Sequence, residues 1–218
     1  MTGRRPRSGS SRGVVLAGGL LAVTGLAHAA GPSVDCRSPR PGSIDQVVCG
    51  SSLLVALDAE ATRLQSLVSA SAAAPAAGPS AAAVETDQRE RLERRDQCVN
   101  GSAPERCALD EYLARIAALR ATSDTTRADG RGISLGPFAW QCHDGAGPLA
   151  AVFVNSDPAF LIVRRQNVAL TMGRAVSASG ARYQGPDGAM FWEHQGEVRF
   201  REREGSPEVT CTSDRRAR

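Results

Sequence analysis

Apolar residues recur at three- and four-residue steps through Leu53, Leu54, Leu57, Leu64, Leu67 and Val68, with Asp58, Glu60 and Arg63 between them. That spacing gathers one apolar stripe on a helix and predicts that the stripe is buried. An alanine-rich stretch follows, but Pro75, Gly78 and Pro79 sit poorly inside a helix, so a turn is expected there. The returning segment, Ala81 to Val99, carries Glu85, Asp87, Arg89, Arg91 and Arg94. It reads as a mostly solvated helix with i,i+4 charge partners such as Glu90 and Arg94. Pro104 and Glu105 open a third helix, whose stripe is Leu109, Tyr112, Leu113, Ile116 and Leu119.

Beyond residue 134 the period changes to two. Phe138 and Trp140 alternate before Cys142, Ala151–Val154 and Phe160–Val163 are apolar runs, and Val198 and Phe200 alternate with Arg199 and Arg201. Turn signals separate these runs at Asp144-Gly145, Asn155 to Pro158, Arg165 to Asn167, Gly185 to Gly188 and Gly205 to Pro207. About eight short antiparallel strands in this length predict a small closed or nearly closed barrel. The segment 121–134, ATSDTTRADGRGIS, has no apolar period and is expected to be a linker between halves that fold independently. The fold class is therefore α+β in two domains: a disulfide-linked three-helix domain over 34–120 and a β-barrel over 135–213.

Residues 1–29 pair a cationic start (Arg4, Arg5, Arg7, Arg12) with an apolar run from Val14 to Leu26 and end on Ala27-His28-Ala29. This is the pattern of a cleaved secretory signal, and the run is too short for a stable bilayer span. No cysteine stands just after the run where a lipidation signal needs one, so a soluble periplasmic or secreted protein without a membrane anchor is expected. The leader also holds much of the basic character. Without its four arginines the formal charge of +3 becomes −1, and a nucleic-acid partner, which needs a dense cationic surface, loses support.

The six cysteines, Cys36, Cys49, Cys98, Cys107, Cys142 and Cys211, all lie beyond the leader, where disulfides persist. Cys142 and Cys211 would join the first and last strands of the barrel; a loop of this length is worth roughly 4 kcal/mol in the chain-entropy model. Among the other four, Cys49 begins the first helix and Cys98 ends the second. Antiparallel packing would make those ends neighbours, which favours Cys49 with Cys98 and Cys36 with Cys107.

Catalytic inventories are thin. There is no G-x-S-x-G elbow, no phosphate-cradling glycine loop and no CxxC pair, and His143 and His194 are the only histidines beyond the leader. No enzyme activity, metal or cofactor is expected. The segment SASGARY, Ser177 to Tyr183, followed by Phe191 and Trp192, instead has the look of a hairpin presenting a small hydroxyl to a partner's cleft.

At these residues the chain resembles a known family. FAWQC, LAAVFVN, SASGARY, MFWEHQGEV and TCT are similar in order and spacing to the MliC/PliC inhibitors of c-type lysozyme, over Phe138 to Thr212. VDC, VC thirteen residues on, LDAE, DQRERLERRDQC and CALDEYLARIAAL resemble the LprI-type domain, also linked to lysozyme inhibition, over Val34 to Leu119. The resemblance implies that c-type lysozyme is the partner, that Ser179 inserts toward its carboxylates, that Gly180 lets the loop approach closely, and that Tyr183 props the loop. It further implies a cation two residues after the tryptophan, where relatives carry Lys and this chain has His194.

Lysozyme cleaves glycan with two carboxyl groups roughly 5 Å apart, so its plug needs hydrogen-bond donors. Imidazolium donates twice and carries charge, whereas imidazole donates once; inhibition through His194 should therefore strengthen from about pH 8 to about pH 6. Arg182 or Arg199 could supply the cation instead. Tyr183 and Trp192 also read as packing residues, and His143 as a turn residue beside Asp144-Gly145. The competing function is a non-inhibitory periplasmic binding module, with a small apolar ligand in the barrel or an envelope protein on the helices.

Overall fold

Eight strands close on themselves in simple sequence order, so that β1 (Ser134–Cys142) pairs with both β2 (Pro148–Val154) and β8 (Val209–Ser213). Between them run β3 (Phe160–Arg165), β4 (Val168–Ala175), β5 (Ala181–Gln184), β6 (Met190–His194) and β7 (Glu197–Arg201), every neighbouring pair antiparallel. This is the expected barrel, and closure leaves it without a free sheet edge along most of its height. The computed structural model describes residues 33–72 and 79–213, together with Thr2. The leader, and most of the turn expected around Pro75 and Gly78, lie outside the described residues.

Strand alternation fills the barrel. Tyr183, Phe191 and Phe200 are register partners across β5, β6 and β7, and all three are buried. Tyr183 and Phe191 join Trp140 and Phe153 through edge-on ring contacts between 5.6 and 6.5 Å, and Phe200 belongs to the same core. Cys142 and Cys211 are paired residues of β1 and β8 and are bridged, as expected.

The helical half comprises α1 (Ile44–Cys49), α2 (Ser52–Ala72), α3 (Ala81–Gln97), α4 (Pro104–Thr122) and the short α5 (Asp124–Ala128). The predicted stripes of α2 and α4 are buried together, including Leu54, Leu57, Leu64, Tyr112, Leu113 and Ile116. α3 departs from its reading as a solvated face. Arg91 is buried with its guanidinium 4.8 Å from the Tyr112 ring centre, and Arg95 is buried between Asp96, Asp45 and the Tyr112 hydroxyl. Arg94 reaches across to Glu111 at 3.6 Å. Long arginine stems can cover apolar surface while their heads find partners, so a charged sequence need not mean a solvated helix.

The cysteine pairing in this half corrects the expectation from sequence. Cys36 bonds Cys49 and Cys98 bonds Cys107, closing separations of 13 and 9 residues. Each bridge staples a local turn: α1 folds Cys49 back onto the preceding coil, and the single 3-10 turn Cys98–Asn100 returns the chain to the first turns of α4. The helices are held side by side by packing and by polar contacts such as Arg94 with Glu111 and the Tyr112 hydroxyl with Asp58.

The segment expected to be a linker is also built into the structure. α5 occupies its middle, with Ser123 capping it through the Thr126 backbone N–H and the Thr126 hydroxyl returning the bond. The Glu60 carboxylate of α2 accepts from the Ser134 backbone N–H at 3.2 Å and from the Ser134 hydroxyl, and from Arg63 at 2.9 Å. Arg120, fully buried, donates to the Thr126 and Asp129 carbonyls at 2.8 and 2.6 Å and to the Ser134 hydroxyl at 2.8 Å. Arg63 also binds Asp129 at 2.5 Å. A polar segment lacks apolar period because its side chains satisfy buried charge rather than fill a core. Above this lock, Val152, Val154 and Ile162 on the outer barrel face belong to the same apolar cluster as α2 and α4. The halves share a core.

Candidate functional site

The connection from β4 to β5, residues 176–180, lies at the barrel end where the β6–β7 turn also emerges. Its shape is fixed by contacts to its own backbone. The Ser179 carbonyl accepts from the Trp192 indole Nε1–H at 3.0 Å and from the Ser177 hydroxyl at 2.6 Å. Gly180 has φ of +70°, and a Cβ there would stand 2.1 Å from the Glu193 carbonyl oxygen. Only glycine fits that approach without a shift. Both bonds that hold Ser179 are made by its carbonyl, so its exposed side chain is not consumed in holding the loop.

The outer face beside the loop follows from register. Arg182, Trp192 and Arg199 are directly paired across β5, β6 and β7 and point away from the Tyr183, Phe191 and Phe200 row inside. Paired side chains on one sheet face stand close enough to interact. Arg199 places its guanidinium 5.5 Å from the Trp192 ring centre, and His194 stacks on the same indole with centroids 6.1 Å apart. A two-residue turn with positive φ at Gln195 and Gly196 carries the chain from His194 to Glu197, the geometry that a tight hairpin's twist favours. Trp192, His194, Gln195, Glu197 and Arg199 line a cleft of about 220 Å³.

Charge on this face is mixed. Arg199 lies 4.0 Å from Glu197 and 3.9 Å from Glu208, with all three side chains exposed, and such pairs hold a side chain only weakly. Arg182 is half-buried, and its Nε is enclosed without a hydrogen-bond partner among the described residues. Tyr183 sits inside the aromatic cluster, where burial pushes its phenol upward against a smaller opposing pull from Arg174.

Of the residues singled out from sequence, Ser179, Gly180, Arg182 and His194 converge on one end of the barrel, and Tyr183 is buried in the aromatic cluster inside it. His143 lines a separate cavity of about 530 Å³ with Asp144, Arg165 and Phe200 at the opposite end. No group of three or more metal-ligating side chains occurs among the described residues. Sequence reading missed the part of Trp192 as the clamp on the Ser179 carbonyl. The signal was available in the strand register, which sets Trp192 opposite Arg182, but the turn lengths that fix register are legible only once the strands are paired.

A family model described as membrane-bound lysozyme-inhibitor of c-type lysozyme, MliC, matches residues 140–208, from the inward Trp140 to the loop before β8. Proteins named Lipoprotein LprI from Mycobacterium tuberculosis and Mycobacterium bovis are each 32% identical over 172 residues, spanning 78% of this chain and 80% of theirs. This chain belongs to the LprI family. No solved structure matches it. LprI-type helices and an MliC-type barrel are thus joined in one chain, as the motifs implied. The family model is described as membrane-bound and the relatives are named lipoproteins; among the described residues of this chain no helix is long and apolar enough to cross a membrane.

Proposed function

We propose that this chain is an exported, non-enzymatic inhibitor of c-type lysozyme that protects peptidoglycan by inserting loop 176–180 into the enzyme's cleft. The observation that carries the reading is the loop itself, a glycine-permitted turn clamped by Trp192 that leaves the Ser179 side chain at its tip. A preorganised tip binds without first paying for its own ordering. Hydroxyl and guanidinium donors beside it, from Ser179, Arg182 and Arg199, suit a slot lined with carboxylates. His194, stacked on the Trp192 indole, offers a further donor.

The barrel interior argues against the rival role as a container for an apolar ligand, because aromatic side chains fill it. Membrane attachment through the first cysteine after the leader is also disfavoured: the Cys36 sulfur is bonded to Cys49 and is unavailable for a lipid thioether. The domains act together in this reading, with the helical layer of 34–120 supporting the inhibitory barrel of 135–213.

Lysis of bacterial cells by c-type lysozyme, followed by turbidity, tests the proposal. The mature protein should slow lysis and Ser179→Asp should abolish the effect, since a further carboxylate is repelled by the acidic slot. Lysis at an undiminished rate in the presence of wild-type protein would overturn it.

A further inference from the structure

The loop that carries Ser179 begins with Val176, whose accessible surface is 96% exposed. Phe138 and Val176 are the only large hydrophobic residues left exposed among the described residues, and Phe138 lies on the wall of β1 rather than in a loop. Scattered apolar residues on a surface are ordinary. Val176 differs in its placement. It stands three residues before Ser179, a length of chain that spans at most ~11 Å. β4 ends at Ala175 and the Trp192 clamp holds the Ser179 carbonyl, so the valine stands on a short span between two fixed points. A standard protein interface covers ~800 Å² on each partner, so a cleft that receives the Ser179 hydroxyl must also meet Val176.

The chemistry of the target then defines what Val176 would meet. A glycosidase that works near neutral pH keeps its general acid protonated by setting that carboxyl against apolar surface. The slot that attracts Ser179 and the arginines therefore has one dry wall beside its acids. We propose that Val176 is a second anchor of the inhibitory loop, docking on the apolar wall that surrounds the lysozyme's general acid. Ser179 and its neighbouring arginines engage charge, while Val176 covers the hydrophobic side of the same slot. The inference rests on the reading of the loop as a lysozyme plug, and it adds a residue and a recognition chemistry to it.

Full-length protein carrying Val176→Ser, Val176→Leu or Arg203→Ser would be compared with wild type for inhibition of c-type lysozyme and for melting temperature. Removing an apolar side chain of this size from a dry contact should weaken inhibition about tenfold in Val176→Ser. Val176→Leu should stay within threefold of wild type, as should Arg203→Ser at the far end of the barrel. Melting temperatures should be unchanged, because a side chain this exposed supports no core. If wild type inhibits and Val176→Ser matches it, the anchor is refuted while the plug survives. Equal losses in Val176→Ser and Val176→Leu would also refute it, since shape rather than apolarity would then be at work. A wild type that fails to inhibit at all would remove the plug itself.

Discussion

Gly180 shows how much of the site depends on a missing atom. A methyl group there would lie 2.1 Å from a backbone oxygen that cannot rotate away, on a backbone of φ +70°. Strain of this kind costs about 1–3 kcal/mol, and the loop can relieve it only by leaving the β6 strand. Gly180→Ala should therefore lose most inhibition while the barrel still folds, with near-ultraviolet circular dichroism of Trp192 reporting the displaced clamp. Full inhibition by this variant would show that the tip need not be held. In the sequence, Gly180 was legible as a close-approach glycine within SASGARY. What it approaches was not, because Glu193 is thirteen positions away and joins it only through the β5–β6 pairing.

Among the elements, strands were easier to read than bridges. Alternating or continuous apolar runs separated by glycine and proline turns outlined β1, β2, β3 and β7 and the expected number of strands, since alternation and turn chemistry are local. The short helices α1 and α5 escaped, being too brief for a period to develop. The missed α1 also misdirected the cysteine pairing: without it Cys49 belongs to a long helix, and with it Cys49 folds back to Cys36. The barrel bridge carries a stronger consequence because it closes 69 residues rather than 13 or 9. Replacing Cys142 and Cys211 together by alanine should lower the unfolding free energy by about 4 kcal/mol. Urea denaturation followed by tryptophan fluorescence would measure it, as both tryptophans, Trp140 and Trp192, lie in the barrel. A loss below about 1 kcal/mol would mean that strand pairing alone holds β1 to β8.

For the molecule as a whole, the polar lock between α2, α4, α5 and β1 sets how the two halves respond to acid. Burial alone would raise the Glu60 carboxyl, but hydrogen bonds from Arg63 and Ser134 and the charges of Arg63 and Arg120 outweigh it and hold the group below its ordinary range. Asp129 behaves alike: desolvation is overcome by Arg63 and Arg131 bonds and by the charges of Arg63 and Arg120. Both groups are more acidic folded than unfolded, so their stabilisation is complete above the unfolded-state value, about 4. It is lost as pH falls through the lower folded value. Calorimetry should give one transition at pH 7 and a falling melting temperature with two resolved transitions below about pH 4. A single transition at every pH would assign the coupling to the shared apolar surface of Val152, Val154 and Ile162 instead.

The helices grip the barrel along β1, β2 and β3, while the tip at 176–180 and the Arg182, Trp192, Arg199 row stand on β5 to β7. Handle and blade occupy different sides of the same tool. Changes that re-edge the tip against a new target can accumulate there while the joint to the handle stays intact.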